Sequence, residues 1–131
     1  MKLRQSDIAA QAIKCVERAQ RDRQIFAEYG TRANSFPSMI VQVGIAQALG
    51  FLRAKSGHGN TLERAYDQYY HDLLELARIA IPEAPSNAEG FYNSVLQAEL
   101  GEYRRLSQII LDASVWLKRI CQGADHKGVE K

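Results

Sequence analysis

Apolar residues return every three or four positions along most of the chain, and no stretch alternates strictly enough to predict a strand. From Asp7 to Tyr29 the repeat runs through Ile8, Ala12, Val16, Ala19 and Phe26, which predicts a first helix with one core-seeking face. The polar run Gly30 to Ser35 reads as a loop, and Pro37 then suits the first turn of a second helix, where its missing N–H costs nothing. That helix is expected to reach Lys55 and to stop at Ser56 to Asn60, whose glycines tolerate positive φ. Asn60 and Glu63 form a capping-box pattern ahead of a third helix. Its stripe is Leu62, Tyr66, Tyr69, Leu73, Leu76 and Ala80, its wet side Asp67, His71, Glu75 and Arg78, and Pro82 ends it.

After the loop-like Pro82 to Gly90, a short helix is expected around Phe91 to Ala98 and a long one from Leu100 to Gln122. The long one spaces Tyr103, Leu106, Ile110, Ala113, Leu117 and Ile120 as a heptad-like seam, suited to lying along another helix. Residues 123–131 lack apolar residues to anchor them and are expected to form a flexible tail. The pattern predicts an all-α fold, a single compact bundle of about five helices over residues 1–122.

The second helix is unusual. Unrolled at about 100° per residue, Ile40, Val41, Gly44, Ile45, Ala48, Phe51 and Leu52 fill about half its circumference, wider than an amphipathic surface helix requires. The other half mixes Met39, Val43, Ala46 and Gly50 with Gln42, Gln47 and Arg53, too apolar for an ordinary wet face. An interior glycine costs about 1 kcal/mol relative to alanine, so Gly44 and Gly50 read as places where another backbone approaches. This second face therefore reads as a contact surface for another chain or another helix, with Met39, Val43, Ala46 and Gly50 the candidate subunit interface.

Composition narrows the function classes more than it names one. With 131 residues and a formal net charge of +2, the chain suits one domain, and any preference for nucleic acid must come from clustered rather than bulk charge. The two cysteines, Cys15 and Cys121, lack zinc or redox spacing, and nothing at the N-terminus reads as a signal peptide, so a reducing cytoplasm is the expected setting. No apolar run is long enough to cross a membrane.

Clustered charge is present. Lys14, Arg18 and Arg21 stand at i, i+4 and i+7, so their heads project from one helix as a row, and Lys118 and Arg119 follow Trp116 near the end of the last helix. Such a row grips a phosphate backbone by position without testing base edges. A core or interface role is expected for Trp116 in preference to base stacking.

Catalytic groups are scarce. Asp67, His71 and Glu75 share a helical face with metal-compatible spacing, which would serve a small hydrolase, but no second cluster joins them and the pattern reads as a solvated charged face. Neither cysteine has a sequence-adjacent base, and no phosphate-binding glycine loop or G-x-S-x-G elbow occurs. No catalytic residue, metal or cofactor is expected.

Two stretches carry a family likeness. In "FPSMIVQVGIAQALGFLRAK", Phe36 to Lys55, the proline, the apolar pair, the glycine followed by an aliphatic residue, Gln47-Ala48-Leu49 and Phe51-Leu52 resemble the small all-helical subunit, the fifth Cmr subunit, of type III-B CRISPR RNA-targeting complexes. Ser107 to Cys121 is similar to that family's C-terminal helix, with Trp116-Leu117-Lys118-Arg119 at its aromatic and basic ending. Val43 stands where the family commonly has asparagine, and Ile109 where it often has an acidic residue. The resemblance implies a non-catalytic subunit that stacks in several copies as a helical filament beside the guide-holding backbone subunit and the large subunit. It also implies that the filament lines the groove where guide and target RNA pair, with no membrane or small-molecule partner. The competing reading is a helical adaptor in another bacterial assembly, without an RNA-binding role.

Overall fold

The computed structural model describes the backbone from Lys2 to Glu130 and side chains from Gln5 to Ala124. Six helices follow one another: α1 (Lys2–Gln20), α2 (Arg23–Val43), α3 (Ile45–Lys55), α4 (Thr61–Ala80), α5 (Ala88–Gln97) and α6 (Leu100–Glu130). The fold is all-α, with no strand among the described residues. Among the described residues no helix is long and apolar enough to cross a membrane. α2 packs against α4 and α6, α1 covers the same pair, and α3 lies against α4 and α5. At the centre, Tyr69 of α4 meets the rings of Tyr29 and Phe36 of α2 edge to face, with centroids 5.5 and 5.6 Å away.

In the first half of the chain three boundaries differ from the periodicity, each for an identifiable reason. The expected first helix is broken at Arg21 and Asp22. Asp22 has extended backbone, and its carboxylate accepts from the N–H groups of Gln24 and Ile25 at 3.0 and 3.2 Å, so it starts α2 as an N-cap. The Gly30 to Ser35 run is helical, not a loop. Tyr29, Ala33, Phe36 and Ile40 bury one face of α2, while the hydroxyls of Thr31 and Ser35 donate back to the carbonyls of Ala27 and Thr31 on the outer side. Pro37 thus sits inside α2 rather than at its start. An interior proline costs about 3 kcal/mol, and burying Tyr29, Phe36 and Ile40, at roughly 1.5–3 kcal/mol for each such side chain, offsets it.

The third difference is at Gly44, whose φ of +85° separates α2 from α3. The rotation sets the two helices on different axes, so a single helical wheel misplaces residues on both sides. Val41, expected in the core, is 74% exposed, and Phe51 lies at the surface against Tyr66, while Leu49 is fully buried. α4 and α6 follow their stripes closely. Tyr66, Tyr69, Leu73, Leu76 and Ala80 are buried in α4, as are Leu106, Ile110, Ala113 and Leu117 in α6. Leu62 is exposed instead. Asn60 caps α4 through the N–H of Glu63 at 2.8 Å, as the capping pattern predicts. Helical backbone continues in α6 past Gln122 to Glu130.

Candidate nucleic-acid interface

The row on α1 is divided by its partners. Lys14 and Arg18 lie within α1, whereas Arg21 falls just past its end, in the turn where its N–H donates to the Arg18 carbonyl at 3.3 Å. Among the described residues, the side chains of Lys14 and Arg21 have no hydrogen-bond or ion-pair partner. Arg18 is different. Its Nη2 donates to Asp72 Oδ1 at 2.9 Å and lies 3.4 Å from Glu75 Oε1 and 3.6 Å from Cys15 Sγ. Its side chain keeps 47% exposure, so one edge of the guanidinium faces solvent while the other is held by acids of α4.

Asp72 sits at the centre of that contact, only 3% exposed, and also accepts from the Tyr29 hydroxyl at 2.8 Å. Helices α1, α2 and α4 thereby meet at one carboxylate. Burial pushes Asp72 up to about 6; the donors Tyr29 and Arg18 pull the other way, and the charge of Glu75 adds to the rise. Burial also raises Tyr29 well above the ordinary tyrosine range, with the Asp72 charge acting in the same direction. For Arg18, burial opposes the charge, but Asp72 and its neighbours outweigh it and hold the guanidinium above its usual value.

Cys15, Asp72 and Glu75 bring possible metal-ligating atoms within 4.8 Å of one another. The Arg18 guanidinium reaches all three, so a cation already occupies the position a metal would take. Burial, with Asp72 and Glu75, pushes the Cys15 thiol up to about 12, which keeps it protonated and poorly nucleophilic at neutral pH. His71 does not assemble a site with Glu75. Its Nδ1 lies 2.9 Å from the carbonyl oxygen of Asp67 and 3.5 Å from the Asp67 carboxylate, one turn back on the same helix.

On α6, Lys118 is half-buried and Arg119 exposed, and neither side chain has a partner among the described residues. Trp116 packs against the core edge, and its indole N–H donates to Gln5 Oε1 at 3.0 Å, joining α6 to the start of α1. Both basic groups thus lie on neighbouring helices, although no described side-chain contact links Lys14 or Arg21 to Lys118 or Arg119. Arg53, near the end of α3, is taken up by a bidentate pair with Glu89 at 2.9 and 2.7 Å.

The expected interface residues are split by Gly44. Met39 and Val43 belong to α2, where Met39 is half-buried against the core and Val43, the last residue, is 44% exposed. Ala46 and Gly50 belong to α3 and are approached by tyrosine hydroxyls rather than by another backbone. The Ala46 N–H donates to Tyr103 at 3.2 Å, and a Cβ at Gly50 would stand 3.0 Å from the Tyr92 hydroxyl. The exposed Val41 widens the apolar end of α2. The helical wheel missed it, because the turn at Gly44 leaves no trace in the spacing.

Comparison with known proteins completes the picture. The family model described as "CRISPR-associated protein (Cas_Cmr5)" matches residues 4–124. The chain is 35% identical over 100 residues to the CRISPR system Cmr subunit Cmr5 of Thermus thermophilus, covering 72% of this chain and 73% of that protein. The crystal structure of a CRISPR-associated Cmr5 family protein, also from Thermus thermophilus, superposes with a TM-score of 0.72 at 27% identity, over 88% of this chain and 94% of that one. With a match spanning almost the whole chain and a solved relative of the same helical fold, this protein belongs to the Cmr5 family of CRISPR-associated proteins.

Proposed function

We propose that the chain is a non-catalytic structural subunit of a type III-B Cmr effector ribonucleoprotein acting in cytoplasmic antiviral defence. Several copies stack as a helical filament beside the guide-bound backbone subunit and the large subunit, lining the groove where target RNA pairs with the guide. Family membership over residues 4–124 carries this reading, and the relative's description as a Cmr subunit supports assembly with other Cmr subunits. The subunit uses no cofactor and takes no small-molecule substrate.

In this role Lys14, Arg21, Lys118 and Arg119 grip phosphate as unpaired, flexible cations, fixing position without reading sequence. Arg18 contributes at one remove, because its acidic partners already neutralise it and its ion pairs fix the seam between α1 and α4. Met39, Val43, Ala46 and Gly50 form the contact with the next subunit, with Tyr92 and Tyr103 backing the α3 part. The test is target-RNA binding by the assembled complex across a salt series, with Lys14 and Arg21 replaced by alanine. Each lost phosphate contact should flatten the slope of log affinity against log salt by about 0.7–0.9. An unchanged affinity and slope would take both residues out of the RNA groove.

A further inference from the structure

Beside the basic row of α1, a groove of about 450 Å³ opens between the joint of α1 with α2, one face of α4 and the turn that precedes α4. Arg18, the middle residue of the row, lines it together with His58, Arg64 and Gln68. The carboxylates of the groove are engaged. Asp72 and Glu75 both take Arg18, Glu75 also accepts from Gln11 Nε2 at 3.2 Å, and the Asp67 carboxylate lies 3.5 Å from His71 Nδ1.

Donors are left over. The side chains of His58 and Arg64 have no hydrogen-bond or ion-pair partner among the described residues. Gln68 Nε2 is buried and bonds to nothing, so the amide swings toward a guest without breaking a hydrogen bond and gains one by doing so.

Surplus donors call for a guest rich in acceptors, and charge decides which kind. Histidines aside, the groove sets Arg18 and Arg64 against Asp67, Asp72 and Glu75, so a phosphate inside it would meet more negative charge than positive. A neutral heteroaromatic ring avoids that repulsion. Its edge carries nitrogen and oxygen acceptors, and its face stacks on an imidazole or a guanidinium.

We propose that this groove holds an unpaired nucleobase, with Gln68 and Arg64 bonding its edge and His58 stacking on its face. This rests on the RNA-groove reading and deepens it. Lys14 and Arg21 hold phosphate outside the groove, and the groove takes the base that the neighbouring phosphates present.

The test uses the full chain and two short fluorescein-labelled RNA oligomers of equal length, one of adenylates and one abasic. Anisotropy should show the adenylate oligomer binding about fivefold to tenfold more tightly, the margin that one stacked base supplies. Gln68→Glu, which keeps the size of the side chain and removes its donor, and Arg64→Ala should each erase most of that margin at an unchanged thermal midpoint. Lys14→Ala should instead weaken both oligomers alike. Equal affinity of the parent chain for the two oligomers, or a margin that Gln68→Glu and Arg64→Ala leave intact, would overturn the base pocket and leave the phosphate grip standing. Failure of both oligomers to bind at low salt would overturn it as well, and target-RNA binding by the assembled complex then judges the phosphate grip separately. Competition with adenosine 5′-monophosphate distinguishes the two sources of a base. Displacement only at far higher concentration than unlabelled oligomer supports RNA, whereas displacement at equal concentration overturns RNA in favour of a free nucleotide.

Discussion

The hydroxyl of Tyr103, on α6, accepts a hydrogen bond from the backbone N–H of Ala46 at the start of α3, at 3.2 Å. Gly44, the residue that precedes α3, has no side chain with which to cap it, so a distant tyrosine takes that role. Gly44 also sits at φ +85° and ψ 163°, a region open almost only to glycine, and a Cβ there would stand 3.3 Å from the same hydroxyl. Tyr103→Phe should therefore cost about 1 kcal/mol in urea unfolding. Gly44→Ala should cost about 1–3 kcal/mol from backbone strain. If Tyr103→Phe is neutral, the contact does not cap α3.

Asp72 makes stability depend on pH. Its pKa rises from an ordinary 3.8 to about 6 in the folded chain, so the native state holds a proton that the unfolded state has released between those values. Stability should fall as pH rises through that window and then level off above pH 6, by at most about 3 kcal/mol. Asp72→Asn should remove this component. Urea midpoints of the two proteins from pH 4 to pH 7 provide the check, and a constant difference between them would contradict the assignment.

Arg18 and its row-mates should separate by assay. Arg18→Ala leaves Asp72 with only the Tyr29 hydroxyl, and because the arginine is half-exposed the cost should be about 1–3 kcal/mol. Lys14→Ala and Arg21→Ala should change stability by less than about 0.5 kcal/mol while weakening RNA binding by the complex. Thermal melts alongside binding isotherms decide this. An Arg18→Ala chain as stable as the parent would mean that Asp72 does not need the pair.

Val43→Glu tests the subunit contact with the least damage to the fold, since Val43 is exposed at the last residue of α2. The isolated chain should fold normally and fail to join copies of itself in the assembled complex. Normal assembly would place the contact elsewhere.

How far the sequence could be read depended on where each residue's partners lie. In α4 from Ala65 to Ala80 and in α6 from Leu106 to Cys121 one face of each helix meets the core, so the stripe of Tyr66, Tyr69, Leu73 and Leu76 and the seam of Leu106, Ile110 and Leu117 are plain in the sequence. In α2 the outer face carries the turn-like residues Gly30, Thr31 and Ser35, and they concealed the inner stripe of Tyr29, Ala33 and Phe36. In the sequence Gly44 looks like a packing glycine, because a single positive φ does not alter the spacing of its neighbours. Asp72 could not be found by spacing at all. Its partners Tyr29 and Arg18 lie 43 and 54 residues away, so Arg18 read as one of three equivalent free cations.

Trp116 is the chain's single tryptophan, and its indole is bonded to Gln5 where α6 meets α1. The protein thus carries a built-in optical probe of one seam. Selective excitation should follow the seating of the first helix without an added dye, and an emission maximum moving to longer wavelength when RNA or another subunit arrives would locate the disturbance at that seam.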